Sequence, residues 1–505
     1  MYFYYFTIST LHLIFLFKSY FDQAAEVARL LSIKLTKRTW DRQEVLMCGF
    51  PIMHLDRHLK VLVQGNKRCV ALCEEFRKEP PEMGFTRRVA RVLTPGTLFD
   101  ESFLNPYENN YLLAIHAPPS VADGHISKKA DASNDLGLAW IDVSTGEFFS
   151  GSSALEGLKD ELARIAPREV VINATLADDL SHPLRQILAD ERCFVSYGQP
   201  QEQESLELSL SHITADDIVG ADEEVTNTIV PSSSEATAIN LLTNFLQEHL
   251  LEHMPSLSHL ARTGTRDRMQ IDSHTIKALE IREEMREGGV SGSLLSAINR
   301  TITSSGARLL GRWLCKYPVS YPKFSFSHTL GSPSTSVREI EARQNLVSIF
   351  QSRPHLRADI TQHLKRLEDS SRIVQRFLLG KGDISDLLAI KNAIEIWVTT
   401  KDKIEGEYNA EIETATSSQL EEWSDMMTVM GRLVDLTSLA DRIGLAVTSS
   451  SIKQLDGPEL VDASEGEEEM PDVSADIKAT TNTWLSFTNW SGGQLKPAIN
   501  PKYAA

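Results

Sequence analysis

The chain has 505 residues, too long for one compact core, which predicts two to four domains. Hydrophobic residues make up 42% and charged residues 24%, as in ordinary soluble globular proteins, so most of the chain should fold. The net charge of −18 alone disfavours a simple nucleic-acid binder, but residues 29–91 carry 14 Lys or Arg against 7 Asp or Glu. Because charge attraction is screened beyond about 10 Å, such a basic front module can bind DNA on an acidic body.

The first 17 residues are mostly apolar and uncharged. This run is shorter than a membrane span of about 20 residues. It also lacks the positive start of a signal peptide and the Arg-rich character of a mitochondrial presequence. We predict a buried strand or helix, or a start displaced from the true one, and no targeting or membrane segment.

The five cysteines are an odd, scattered set: Cys48, Cys69, Cys73, Cys193 and Cys315. Such a set is typical of reduced, buried thiols. Cys69 and Cys73 have no second pair or histidine cluster to complete a zinc site, so we predict no metal.

The first hundred residues predict a mixed α/β unit. Apolar residues between Asp22 and Leu31 have helical spacing, and the short apolar runs 33–35, 61–63 and 69–72 have β-character. A second α/β unit begins near Asn105. Its predicted elements are two strands over 136–149 around the turn 144–146, a helix over 155–165 and a buried strand over 170–172.

From about residue 235 the pattern changes to long helices. A 3.6-residue spacing predicts helices over 236–250, 276–286, 294–302, 308–313, 338–350, 358–377 and 418–439. Residues 317–336 interrupt this pattern with three prolines and many serines, which predicts a disordered inserted loop. The predicted fold class is therefore multidomain, with two N-terminal α/β domains followed by a mainly α-helical region.

Four blocks of the sequence, in this order, resemble the MutS family of DNA mismatch-repair proteins. They are residues 24–38 with Met47-Cys48-Gly49-Phe50-Pro51; Arg91-Val92-Leu93-Thr94-Pro95-Gly96-Thr97; residues 137–148 with Pro167-Arg168-Glu169; and residues 306–314 with Ile340-Glu341-Ala342-Arg343-Gln344. The resemblance covers about residues 20–400. The amino-acid sequences of the blocks are most similar to those of the fungal mitochondrial branch of the family.

The resemblance implies a mixed-sheet mismatch-binding domain, an RNase H-like connector domain and a helical core or lever region. The expected domains are 1–105, 106–235, 236–400 with the inserted loop 317–337, and a partial lever or clamp region 401–505 with an acidic segment 456–476. The implied function is mismatch recognition in DNA repair. The implied partners are double-stranded DNA with mispairs or small loops and a second subunit, in a homo- or heterodimer. The implied location is mitochondrial, with a nuclear one as the alternative.

Basic residues of the first unit are candidates for contact with DNA, because Lys and Arg at close spacing can follow a phosphate backbone. The candidates are Lys34, Lys37, Arg38, Arg42, Arg57, Lys60, Lys67, Arg68, Arg87 and Arg88. A solvated basic face is the alternative interpretation. The sequence does not say which of them touch phosphate.

The family reads a lesion with a Phe-x-Glu motif just before the first helix, whose Phe wedges against the mispaired base. Alignment backwards from Asp22 places this motif on Leu16-Phe17-Lys18, so both key residues are replaced and Phe17 is displaced by one. Two explanations stay open. Either intron-derived sequence has replaced the true N-terminus, which we favour because the resemblance breaks off abruptly, or this copy binds DNA without specific mismatch recognition.

The family's ATPase needs a Gly-x-x-x-x-Gly-Lys-[Ser/Thr] loop, whose amides cradle phosphates. The 505 residues contain no such loop, and the nearest cluster, Gly380-Lys381-Gly382, lacks the spacing. We therefore expect a truncated chain that is not an enzyme and binds no cofactor, with ATP and Mg²⁺ used in the intact family through a domain outside this sequence. A non-catalytic fragment that binds DNA nonspecifically, or binds partners, is the alternative function.

A nuclease is the enzymatic alternative, because Asp131, Asp142 and Glu147 could converge on metal ions. Asp142 and Glu147 flank the predicted turn at Ser144-Thr145-Gly146, where an Asp-Ser-Thr-Gly sequence is typically structural. We therefore disfavour the nuclease.

Overall fold

The computed structural model describes residues 3–11, 14–40, 43–77, 85–118, 135–179, 181–200, 232–251, 254, 261–262, 271–285, 290–315, 337–412 and 417–447. Arg42, Asp131, the predicted loop up to residue 336 and the acidic segment 456–476 lie outside these residues. Among the helices in the described part of the chain, none is long and apolar enough to cross a bilayer.

The N-terminal unit is built on a six-stranded sheet. Its strands are β1 (Phe3–Leu11), β2 (Ile14–Tyr20), β3 (Thr36–Trp40), β4 (Gln43–Pro51), β5 (Cys69–Arg77) and β6 (Phe85–Leu93), in the order β3-β4-β2-β1-β5-β6. β1 and β5 are parallel and the other neighbours are antiparallel. The sheet is therefore mixed, and the apolar N-terminal run forms two of its strands.

One face of this sheet is covered by helices α1 (Asp22–Leu31) and α2 (Leu55–Leu59). A 3₁₀ turn (Ile52–His54) precedes α2, and a π-helical turn (Lys60–Gly65) continues it. The strand predicted over 61–63 is therefore wrong. Leu59, Leu62 and Val63 are spaced i, i+3, i+4, so their helical stripe enters the core.

The strand predicted over 33–35 is also wrong. The Ile33 N–H donates to the Ala28 carbonyl at 3.0 Å, and Ser32 has a left-handed φ of 55°, so this stretch closes α1. The strand β3 begins only at Thr36.

The second unit has another six-stranded sheet, in the order β11-β10-β7-β8-β9-β12. Its strands are β7 (Tyr111–His116), β8 (Leu136–Asp142), β9 (Glu147–Ser153), β10 (Glu169–Asn173), β11 (Val195–Gly198) and β12 (Ala261–Arg262). The hairpin predicted around residues 144–146 and the strand predicted over 170–172 are confirmed.

Helices cover both faces of the second sheet, which explains why β7 and β8 are almost continuously buried. α3 (Leu158–Ile165) and α4 (Pro183–Asp190) pack on one face around Trp140. α5 (Ser233–Leu250) packs on the other face around Ile141. The helix predicted over 236–250 is thus confirmed, and it covers this sheet.

The remaining described elements are helices. They are α6 (Ser273–Ala278), α7 (Leu294–Ile298), α8 (Ser304–Cys315), α9 (Val337–Ser352), α10 (Pro354–Lys365), α11 (Ser370–Leu378), α12 (Ile384–Glu411), α13 (Ser417–Met430) and α14 (Thr437–Ala446). Around Trp423, α9, α10, α12 and α13 share one core.

Several predicted helices are shorter than their patterns suggested. The helices predicted over 276–286 and 294–302 end at Ala278 and Ile298. The helix predicted over 358–377 is two helices, because Asp369 caps the start of α11 with its carboxylate. The helix predicted over 418–439 is also two, and the chain turns at Gly431 after α13.

Candidate nucleic-acid interface

Strand β2 places the residues aligned with the lesion-reading motif on opposite faces of the first sheet. Phe17 lies in the core that α1 covers, and its ring stacks on Phe50 with centroids 6.2 Å apart. Lys18 belongs to the other face, because successive residues of a strand alternate, and it is only 5% exposed. Phe17 is therefore a core residue and not a displaced wedge. At the position of the motif's Glu, the chain has a buried cation.

The 3₁₀ turn after β4 lies next to the Leu16 position. Leu16 pairs with Pro51 across β2 and β4, and the turn Ile52–His54 follows directly. On the helical segment after the turn, Arg57 and Lys60 are exposed and make no salt bridge within the described residues. Two of the candidate cations thus lie on the helical segment that follows the turn next to the aligned wedge position.

The edge strand β3 carries a second group of candidates. Lys34 is exposed before the strand, and Lys37 and Arg38 are exposed on it. Lys37 Nζ donates to Glu44 Oε2 at 2.8 Å, so a carboxylate already neutralises this cation. Arg38 pairs with Val45, six residues before the end of β4, which puts it about 20 Å from the 3₁₀ turn.

Arg87 and Arg88 lie on β6, at the opposite edge of the sheet from β3. In the β5–β6 register they stand opposite Glu75 and Glu74, so each is placed across from an acidic residue. Four strand spacings separate β6 from β4, about 19 Å. Three strand spacings, about 14 Å, separate them from Leu16 on β2.

Lys67 and Arg68 are exposed just before β5. Lys67 has a left-handed φ of 50°, and Arg68 Nη2 donates to Glu26 Oε1 at 2.8 Å. The structure thus distributes the described candidates over several places and does not form one patch from them. Arg57 and Lys60 are the pair on the helical segment that follows the turn beside Leu16.

Sequence reasoning missed Met53, the central residue of the 3₁₀ turn. Its side chain is 79% exposed, and neighbouring Ile52 is also exposed. The signal was present, since two large apolar residues follow Pro51 directly and precede Arg57 and Lys60 in a basic stretch.

A buried carboxylate explains two of the sequence blocks. Glu169 accepts hydrogen bonds from the Thr94 and Ser196 hydroxyls and from the Gly96 N–H, the last at 2.8 Å. Burial raises the pKa of the Glu169 carboxyl, and the three hydrogen bonds oppose this rise. The Thr-Pro-Gly-Thr block is therefore held by the Pro-Arg-Glu block across the boundary between the two sheets.

Residues 94–108 connect the two sheets, and we call them the junction segment. Basic side chains of the helical region hold this segment. Two of them bind backbone carbonyls: Arg308 Nη1 donates to Pro106 O at 2.8 Å, and Arg372 Nη2 donates to Glu108 O at 3.0 Å. The other two bind carboxylates: Arg376 Nη1 donates to Glu101 Oε2 at 2.6 Å, and Lys381 Nζ donates to Asp100 Oδ1 at 2.9 Å. Lys381 belongs to the glycine-lysine cluster singled out in the sequence, and here it is an ion-pair partner.

The charges around the junction segment are balanced. Arg308 Nη1 also donates to Asp369 Oδ2 at 2.5 Å, and the two side chains are 4% and 8% exposed. Burial opposes ionisation of Asp100, but Arg91 and Lys381 outweigh it and hold the pKa of this carboxyl below its ordinary value. Arg308, Arg91 and Lys381 thus each pair with a carboxylate, and their side chains are 4%, 10% and 29% exposed.

The two described carboxylates of the nuclease hypothesis have structural partners. Asp142 accepts from the Asn109 side chain at 2.9 Å and from the Ser144 hydroxyl at 2.6 Å. Glu147 accepts from Arg312 at 2.7 Å. In the part of the chain that the structure describes, no three His, Cys, Asp or Glu side chains group closely enough to hold a metal ion.

Comparison with known families agrees with this architecture. The family models for MutS domain I, MutS domain II and MutS domain III match residues 13–102, 110–260 and 274–479. The chain belongs to the MutS family. The first matched range contains β2 and the 3₁₀ turn, and the second contains strands β7 to β11 together with α5.

Curated proteins named DNA mismatch repair protein MutS are similar to most of this chain. The protein of Methanosarcina barkeri is 28% identical over 441 residues, which cover 85% of this chain and 45% of that protein. The protein of Rhizobium meliloti is 30% identical over 74% of this chain and 38% of its own length. The protein of Rhodopseudomonas palustris is 32% identical over 75% of this chain and 39% of its own length. The chain thus spans less than half the length of these relatives.

Proposed function

We propose that this chain binds double-stranded DNA through MutS domain I, at mispairs or small loops, as a DNA mismatch-repair protein. The observation that carries the proposal is the exposed pair Arg57 and Lys60, on the segment that follows the turn beside Leu16. Phosphate contact by such cations positions a protein on a duplex, and the deformability of a mispaired step supplies the discrimination.

A binding assay at fixed salt tests this function. The full chain is titrated with a G·T duplex and with the matched homoduplex, and its affinities for the two are compared. We expect tighter binding to the G·T duplex, and binding to both that weakens as salt rises. Equal affinities would contradict mismatch recognition. Undetectable binding at low salt would contradict DNA binding altogether.

The second candidate function is nonspecific binding of DNA or of partner proteins. The burial of Phe17 and the presence of Lys18 in place of a glutamate favour it, because the aligned motif supplies neither an exposed aromatic wedge nor a carboxylate. Equal affinity for the two duplexes, combined with a strong salt dependence, is the result that this second function predicts.

The finer parts of the proposal rest on the sequence. Residues 1–505 contain no phosphate-binding loop, so we expect no ATP hydrolysis and no bound ATP or Mg²⁺ from them, which a phosphate-release assay checks. We further expect an RNase H-like fold for the second unit and a homo- or heterodimer. We also expect a relationship to the fungal mitochondrial branch and a mitochondrial rather than nuclear location. Localisation of a tagged chain tests the last.

A further inference from the structure

The turn Ile52–His54 presents an apolar tip on a basic part of domain I. Met53 is the most exposed large hydrophobic residue described in this domain, at 79%, and Ile52 beside it is exposed as well. Burial of this pair by a ligand would remove its apolar area from water, which favours binding. The tip is therefore a candidate contact surface.

The turn is held rigidly from both ends. Phe50, just before it, is buried in the core, and its ring lies 4.4 Å from that of His58, just after it. Leu59 is buried in the same core. Met53 is thus carried on a fixed support, which limits the conformational entropy lost when it enters a ligand.

Charge and position identify the occupant as DNA. Residues 52–60 contain Arg57, Lys60 and two histidines against a single carboxylate, Asp56. A negatively charged polymer with an apolar interior fits an apolar tip flanked by cations, and a base-paired duplex is such a polymer. Proteins that kink DNA insert Phe, Leu, Ile, Met or Pro between base steps, so Met53 has the right chemistry.

We infer that Met53 is the wedge of this chain. Met53, and not the residue at the aligned position Leu16, inserts between base pairs at a mispair. This inference rests on the proposed function, because it names the residue through which domain I reads the lesion. The unbranched thioether suits the role, since it adapts to irregular gaps. A mispaired step unstacks more cheaply than a paired one, so insertion there favours the mismatched duplex.

The test uses the full chain and a duplex with 2-aminopurine beside a G·T mispair, together with the matched homoduplex. Fluorescence of 2-aminopurine rises when its neighbour is unstacked, and anisotropy gives the two affinities. The variants are Met53→Ala, the volume-conserving Met53→Leu, and Leu445→Ala, an equally exposed apolar control (82%) at the end of α14. Thermal melts verify that all three fold.

We expect Met53→Ala to abolish the fluorescence rise and to reduce the preference for the mispair by about tenfold, with little change in homoduplex affinity. Met53→Leu and Leu445→Ala should behave as the unaltered chain does. A fluorescence rise and a preference that survive in Met53→Ala overturn the inference while the proposed function stands. An equal loss of affinity for both duplexes also overturns it, because Met53 is then a general contact. If the unaltered chain itself shows no preference, the proposed function and the inference fail together.

Discussion

Residues 52–60 of domain I and the junction segment use the same cationic residue types in opposite ways. Arg57 and Lys60, on the helical segment that follows the turn Ile52–His54, are exposed and make no salt bridge within the described residues. Around the junction segment, Arg308 and its partner Asp369 are both buried. An exposed cation is available to phosphate, whereas a buried pair contributes by fixing geometry. Counting cations along the sequence therefore does not locate a DNA-binding surface.

The largest expected effect is a loss of folding stability when a cation that holds the junction segment is removed. Arg308→Ala leaves Asp369 buried without its main partner and removes the donor to the Pro106 carbonyl. Losing one member of a buried ion pair typically costs about 3–5 kcal/mol, which urea unfolding of the full chain will measure. The control is Lys37→Ala, because its pair with Glu44 is exposed. If the two variants unfold at the same urea concentration, the buried Arg308–Asp369 pair does not stabilise the junction segment.

The next effect comes from packing of the junction segment on Glu169. A Cβ at Gly96 would lie 2.7 Å from Leu112 Cδ1 and 2.9 Å from Glu169 Cβ. Gly96→Ala should therefore cost about 1–3 kcal/mol in the same unfolding experiment. Gly406→Ala is the matched control. It has open space inside the helix α12, and there alanine should stabilise by roughly 0.5–1 kcal/mol. A neutral Gly96→Ala would contradict the tight approach to Glu169.

A smaller, pH-dependent effect is expected for Asp100. Its pKa in the folded chain lies below the ordinary value of 3.8, so its stabilising contribution is present above 3.8 and is lost as pH falls through the folded pKa. Asp100→Asn should thus lower the unfolding midpoint at about pH 7, and the gap to the unaltered chain should narrow at about pH 3. A gap that stays constant over this range would show that Asp100 does not act through its charge.

The smallest expected effect separates two surface cations. Arg57→Ala should weaken DNA binding for all sequences and reduce the slope of log affinity against log salt by about one. Arg88→Ala on β6 should leave the slope unchanged, because it lies about 19 Å across the sheet from β4. If the two variants change the slope equally, the DNA surface extends to both edges.

Elements with local causes were predictable from the sequence. The spacing in α1 and the alternation of β8 and β9 around a turn sequence led directly to the observed structure. The run Val61–Val63 was misassigned, because three apolar residues fit a strand and a helical stripe equally well. The order of the two sheets and the helical region also followed from the recognisable blocks.

The candidate site was only partly predictable, because burial is set by distant residues. In the sequence Glu169 is only one residue of the Pro167-Arg168-Glu169 block, and its hydrogen-bond partner Thr94 lies 75 positions earlier in the chain. Lys381 looked like part of a glycine-lysine cluster and is instead paired with Asp100. Met53 became a candidate only when the structure showed it exposed, because the sequence does not show whether a methionine is buried or on the surface.

Hydrogen exchange of the full chain, with and without a G·T duplex, tests the central claim most directly. It reports which backbone segments the DNA protects. The account predicts protection of residues 52–60 on binding the mispaired duplex, and no protection of residues 85–93 on the far edge of the sheet. Protection of residues 85–93 without protection of residues 52–60 would contradict the account.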